Sequence, residues 1–428
     1  MFATRKSILA SGVILPILYS SIFLNTAASA DNLGKPVADS RINMNRNGYS
    51  LDSLPLLRND VQVFQFSSRN KTGLNGDAGY FLYEDTHGDT VIFDATGPGC
   101  IKSFWGTDIQ GGTILKFYFD DEVAPRLTVD LLEVYQGKNP LFAAALCRYQ
   151  STGQWGGNPC SGNCFVPVPF AKRLRIAMDK NGNKITFYHI IYEQFTPGTC
   201  KAVNFVDESG KLNPEAAPPP SLLDVFTEKE SVSKDSQNLT TRKVRIEKVS
   251  QMPCRLEDRQ VLAHTGQGAI KRISFDLPAE DQIVERLLVY IRFDDAEFYQ
   301  VFSPLGMLIA NAAHPNQVHS MPVKVEEPKN GRFQAHILFP MPFWKSFSLE
   351  LAQDETSGLM EEAIAAQGID VEVSLSEEAY PPTESGYFTT CYRRGETAYG
   401  EDWLLGRVFG RGVYLGTVQS MQYQHYCE

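Results

Sequence analysis

The feature that most constrains this chain is an internal repeat. Gly97-Pro98-Gly99-Cys100-Ile101-Lys102 recurs as Gly266-Gln267-Gly268-Ala269-Ile270-Lys271. Phe119-Asp120-Asp121 recurs as Phe293-Asp294-Asp295, and Val168-Pro169-Phe170 with Lys172 recurs as Met341-Pro342-Phe343 with Lys345. Each match is short, but the three come in the same order at an offset of about 170 residues. Two copies of one domain of about 150 residues explain them, an ordinary size for a β-sandwich. A third opening follows at Gly386, with Gly410-Arg411-Gly412 ahead of Val413-Tyr414-Leu415. The stretch from Gly386 onward is close to the ~40-residue floor for an independent domain. It either completes an earlier sheet or opens a further, incomplete sandwich.

Local patterning agrees with strands. Apolar and polar residues alternate through Leu115–Phe119, Lys172–Ile176, Lys243–Glu247, Val289–Phe293 and Val371–Leu375, the period of a half-buried strand. The 18 Tyr and 26 Phe suit sheets better than helical bundles. One helix is expected near Gly358–Gln367, stopped by Gly368. Residues 206–224 are polar and rich in Pro, the composition of a stiff linker. The expected organisation is therefore a leader over 1–30, a sandwich over 31–205, the linker over 206–224, a second copy over 225–380 and opening strands over 381–428.

The N-terminus carries Arg5-Lys6, an apolar run through Val13–Leu18 and Ile22–Leu24, and Ala28-Ser29-Ala30. A basic start, a short apolar core and an A-x-A-like site make a secretory signal, giving a secreted or periplasmic protein. An uncleaved anchor competes, against which stand Pro16 and the polar Ser20-Ser21. After cleavage no run approaches the ~18 apolar residues of a membrane span. The net charge of −10 leaves no electrostatic footprint for nucleic acid or an anionic membrane. An exported chain can oxidise its 8 cysteines. Cys160-Ser161-Gly162-Asn163-Cys164 reads as a local disulfide or two free thiols, since no His is close enough to complete a zinc site. Asn70-Lys71-Thr72 and Asn238-Leu239-Thr240 are glycosylation sequons.

Familiar chemistry is scarce. The seven histidines are scattered, and His314 and His319 flank Pro315 in what reads as a loop. There is no Gly-x-Ser-x-Gly elbow and no P-loop. The Gly-x-Gly pairs lack the third glycine of a dinucleotide site and suit strand-edge turns. The Asp pairs after Phe119 and Phe293 suit hairpin turns. No metal and no cofactor is expected. Glycoside cleavage needs two carboxyl groups across the scissile bond, and 50 acidic residues cannot be narrowed to that pair by spacing. Trp105, Trp155, Trp344 and Trp403 can stack on sugars or fill cores.

An ordered set of motifs goes further. Ser67-Ser68, Thr72-Gly73, Asn75 and Asp77 are followed by Ala95-Thr96-Gly97-Pro98-Gly99-Cys100-Ile101, Phe119-Asp120, Pro167-x-Pro169-Phe170 and Tyr188–Tyr192. Together they resemble glycoside hydrolase family 172, formerly domain of unknown function 2961. The resemblance covers residues ~55–200, with similar landmarks at Gly410-Arg411-Gly412 and Tyr426-Cys427-Glu428; residues ~240–380 look like the additional copy of longer members. It implies all-β, repeated jelly-roll sandwiches with few short helices, assembled as trimers or hexamers. It also implies retaining hydrolysis of α-fructofuranosides or α-arabinofuranosides in oligo- or polysaccharides, by two glutamates.

Glu428 aligns with the first glutamate, the nucleophile. The Gly-Asp that follows it in the family, and the Gly-Thr-Glu-Asp motif bearing the acid/base, do not occur in these 428 residues. The expectation is a longer member cut short, with its pair incomplete and this chain inactive alone. A non-catalytic carbohydrate-binding or structural protein is the alternative. Ser68, Asn75, Asp77 and Trp105 are the expected sugar contacts. Asn70-Lys71 stands where the family has Asp-Arg, and Leu74 replaces a glycine, so sugar preference is expected to differ.

Overall fold

The computed structural model describes residues 42–43, 51–72, 76–151, 160–218, 223, 239–252, 259–312, 314–354, 358–398, 401 and 403–420. Four antiparallel sheets form two sandwiches. In the first, Val61–Ser67, Phe187–Phe195, Gly99–Thr107, Cys160–Cys164 and Cys147–Ser151 lie side by side, with Val168–Phe170 also on Gly99–Thr107. The facing sheet runs Tyr83–Glu84, Thr90–Thr96, Arg173–Met178, Ile114–Phe119 and Leu127–Asp130. First and last strands pair, Val61 opposite Phe195, while the chain crosses between the sheets. That is jelly-roll connectivity, as expected from the resemblance.

The second sandwich repeats this plan. Thr240–Ile246, Ile369–Ser376, Gly268–Pro278, Arg332–Ile337, Val323–Val325 and Val318–His319 form one sheet, with Met341–Phe343 on Gly268–Pro278. Gln260–Thr265, Ser346–Gln353, Leu287–Phe293 and Val301–Pro304 form the other. The expected helix is present at Gly358–Gln367 and buries Met360 and Ile364; the Gly368 N–H closes it on the Ile364 carbonyl at 2.7 Å.

Alternation builds both cores. Leu115, Phe117 and Phe119 point into the first core with Phe93, Phe170 and Tyr188. Between them Lys116 reaches Asp89 and Asp179 outside, at 2.7 and 2.5 Å. In the second copy Leu287, Val289, Ile291 and Phe293 point inward. Each such side chain contributes about 1.5–3 kcal/mol when fully buried, an upper bound against an extended unfolded chain.

The repeated motifs turn out to be one hydrogen-bonded joint built twice. The N–H of Gly97 donates to the Lys172 carbonyl at 2.6 Å, and that of Gly266 to the Lys345 carbonyl at 2.8 Å. Gly99 lies opposite Phe170, and Gly268 opposite Phe343. A Cβ on Gly99 would land 2.2 Å from Phe170 Cζ, and one on Gly268 2.3 Å from the Ser376 carbonyl oxygen. Asp120 and Asp294 sit at φ 55° and 51°, where a short polar side chain is tolerated. The Asp294 carboxylate accepts N–H bonds from Trp344, Lys345 and Ser346; that of Asp120 accepts the Lys172 N–H at 3.1 Å. The glycine and aspartate pairs thus do the turn work their composition suggests.

Two stretches differ from expectation. Residues 205–216 fold back onto the first core instead of running free as a linker. Val206 and Ala216 are buried in that core, and the Asn213 N–H donates to the Phe205 carbonyl at 2.9 Å. Val206 and Leu212 supply apolar anchors that the Pro content obscured. The described residues between 386 and 420 form no strand. Thr390 bonds to Gln300 and Phe302 at the edge of Val301–Pro304 without extending that sheet, and Val408, Phe409 and Tyr414 stay exposed.

Candidate functional site

The structure brings Ser68, Asp77 and Trp105 to one end of the first sheet, beside the start of strand Phe187–Phe195. Asn75 and Glu428 lie outside the described residues. Ser68 is 3% exposed; its N–H donates to the Tyr188 carbonyl at 3.1 Å and its Oγ accepts the Tyr188 N–H at 3.2 Å. It locks the end of one strand to its neighbour. Asp77 Oδ1 accepts the Asn70 N–H at 2.8 Å, closing the loop between them. Asn70 is buried, and its Oδ1 accepts from the Thr72 N–H and Oγ1 at 2.9 and 2.8 Å. The side-chain oxygen of this sequon asparagine is therefore engaged inside the loop; Asn238 of the second sequon lies outside the described residues. Trp105 is half-buried on the outer sheet face, 5.0 Å from the His189 ring and opposite Asn163 in register. As the aromatic member of this group it is the one whose side chain can stack on a sugar.

A second place opens at the other end of the same strand. Phe64, Tyr192 and Gln194 from one sheet and Asp94, Thr96 and Arg173 from the other border a cleft of about 550 Å³, with Asp121 and Lys172 on its rim. Phe64 is 40% exposed and stacks on Tyr192, centroids 5.6 Å apart. Phe66 stacks on Tyr192 from within, also at 5.6 Å, so the aromatic wall is backed by core. Gln194 Nε2 donates across the gap to the Thr96 carbonyl at 2.8 Å. The Arg173 guanidinium grips Asp94 through two bonds of 2.8 Å and approaches Asp121 at 3.6 Å. The Tyr83 hydroxyl also donates to Asp94.

This wiring fixes the protonation of the cleft. Burial pushes the Asp94 carboxyl up, but the bonds from Arg173 and Tyr83 outweigh it and hold Asp94 below its ordinary value. Tyr83 moves the other way, raised by burial and by the adjacent carboxylate. A general acid for glycoside cleavage needs a carboxyl that keeps its proton near neutral pH, and Asp94 is the reverse. The cleft offers a fixed charge pair, an amide and an aromatic face, groups able to hydrogen-bond and stack but not to supply a proton. The first core also encloses an apolar void of about 20 Å³ lined by residues such as Phe104, Phe142 and Val166, with no polar group to fix a ligand.

Sequence motifs missed the cleft because its members are far apart in the chain. One signal was present: Asp94 interrupts the apolar run of Thr90–Thr96, and Arg175 lies opposite it in register with Arg173 two residues away. An aspartate in such a run needs a partner on the neighbouring strand. His314, read as a loop residue, is exposed and pairs with Asp281 at 2.9 Å.

Comparison with known families gives a match over part of the chain. Residues 59–208 match the family model described as the GH172 first beta-sandwich domain. No curated protein matches the chain.

Proposed function

We propose, from the membership of residues 59–208 in the first β-sandwich domain of glycoside hydrolase family 172, that this is a secreted protein acting on furanose-containing oligo- or polysaccharides. Its substrates are α-fructofuranosides or α-arabinofuranosides. The family match carries the proposal. The cleft beside Phe64 and Arg173 supports its binding half, since an aromatic face with planar charged groups suits a polyhydroxylated ring. Glu428 is the proposed nucleophile. Retaining cleavage also requires a second carboxyl about 5–5.5 Å away, and Asp94, held ionised by Arg173, is unfit for that task.

The test is turnover of aryl α-fructofuranosides and α-arabinofuranosides by a longer product that carries the second carboxyl, with this chain alone as the inactive control and the anomer of the released sugar followed by proton NMR. The expected result is release with retention, abolished by Glu428→Gln with unchanged melting. Near-wild-type turnover by that variant would remove Glu428 from the chemistry. The cleft's aromatic face and charge pair also support a second reading, a carbohydrate-binding protein without turnover. It predicts saturable binding of the same sugars and no aryl release.

A further inference from the structure

Two cysteines lie where a bond between strands can form. Cys147 and Cys164 are direct partners in the register of neighbouring strands Cys147–Ser151 and Cys160–Cys164. The N–H of Phe165 donates to the Leu146 carbonyl at 2.9 Å. A bond between the residues just outside the two cysteines marks them as a non-hydrogen-bonded pair, the closer of the two antiparallel arrangements. Such a pair holds its Cα atoms about 4.5 Å apart, within the span a disulfide bridges. The two Sγ atoms are 3.9 Å apart and face one another. Both side chains are buried in the first core, so in the folded state each has the other as its nearest thiol, and an oxidant reaches them during folding or on local opening of the edge hairpin. The local pairing open from sequence is excluded: Cys160 and Cys164 are four residues apart on one strand, about 13 Å along it.

We propose that Cys147 and Cys164 form a cross-strand disulfide that staples the outer hairpin of the first sheet. The oxidant is a small-molecule or protein disulfide. The Cys147 thiolate attacks one of its sulfurs and expels a thiolate. The Cys164 thiolate then attacks Cys147 Sγ and expels the second. The two protons lost by the cysteines end on the two released thiols, and the pair of electrons reduces the oxidant. The opposite order of attack, with Cys164 first, gives the same disulfide and the same two released thiols.

The full chain is equilibrated with a glutathione mixture rich in the oxidised form, quenched in acid, alkylated after unfolding and mapped by mass spectrometry. The expected product is a peptide pair joined through Cys147 and Cys164, unaffected by Cys160→Ser and lost in Cys147→Ser. Melting of the first sandwich is expected to fall by about 5–10 °C on reduction, from the loop closed and the domain size, and Cys147→Ser is expected to abolish that shift. Full alkylation of both cysteines, a link from Cys164 to any other cysteine, or a stable glutathione adduct on Cys147 would each overturn the proposal. The experiment uses a defined redox buffer, so its result is independent of where the protein resides.

Discussion

Gly99→Ala gives the sharpest test of the duplicated joint. The added methyl would sit 2.2 Å from Phe170 Cζ and under 3 Å from two further atoms of that ring. Phe170 is fully buried and edge-packed against Phe93 at 5.9 Å, so the ring has no free space to move into. Overpacking of this kind costs about 1–3 kcal/mol. A contact shorter than real Cβ atoms show puts Gly99→Ala near the top, about 3 kcal/mol. For a sandwich of this size that lowers the melting temperature by roughly 6–12 °C. A second substitution separates the clash from any effect of alanine on the backbone. Phe170→Leu alone leaves a small cavity costing about 1–2 kcal/mol. In that background Gly99→Ala should cost under about 1 kcal/mol, a coupling of about 2 kcal/mol. Calorimetry of the four full-length proteins measures it. Costs that simply add would refute the steric explanation.

Two further expectations follow from charge. Asp94 is held below its ordinary value, so its contribution is present above the unfolded carboxyl range near 4 and is lost as pH falls through its folded value. Arg173→Gln should therefore melt below wild type at pH 7 and converge with it below about pH 4; a gap constant with pH would contradict this. In the second sandwich the fully buried Glu350 accepts from Arg259 at 2.7 Å, Tyr299 at 2.8 Å and Ser348 at 3.1 Å. Arg259→Met should cost about 3–5 kcal/mol in urea denaturation, most of it regained by adding Glu350→Met; equal costs for the single and double variants would count against a paired buried charge.

Much of the fold was legible because strands declare themselves locally. Leu115, Phe117 and Phe119 needed only a period of two to be placed on one face. The duplication was legible because a joint with backbone demands leaves a residue signature. Gly99 must be glycine to admit Phe170, and Asp120 must tolerate a positive φ, so both recur in the second copy. The fold-back of 205–216 was hidden. Its polar and charged residues dominate the composition, while the apolar residues that anchor it, Phe205, Val206, Leu212 and Ala216, are scattered among them. The cleft was hidden for a different reason. Phe64, Asp94, Arg173 and Gln194 meet only through sheet packing, and no spacing along the chain encodes that meeting. Ser68 and Asp77 were noticed as polar residues in a motif; the structure shows Ser68 tied to Tyr188 of the neighbouring strand and Asp77 Oδ1 holding the Asn70 N–H.

The most direct measurement is calorimetric titration of the purified chain with fructo- and arabino-oligosaccharides, using cello- and malto-oligosaccharides as controls. Recognition of furanose sugars at the cleft predicts saturable heats for the first two only, weakened severalfold or more by Phe64→Ala. No heat with any sugar, or equal heats with the pyranose controls, would contradict it.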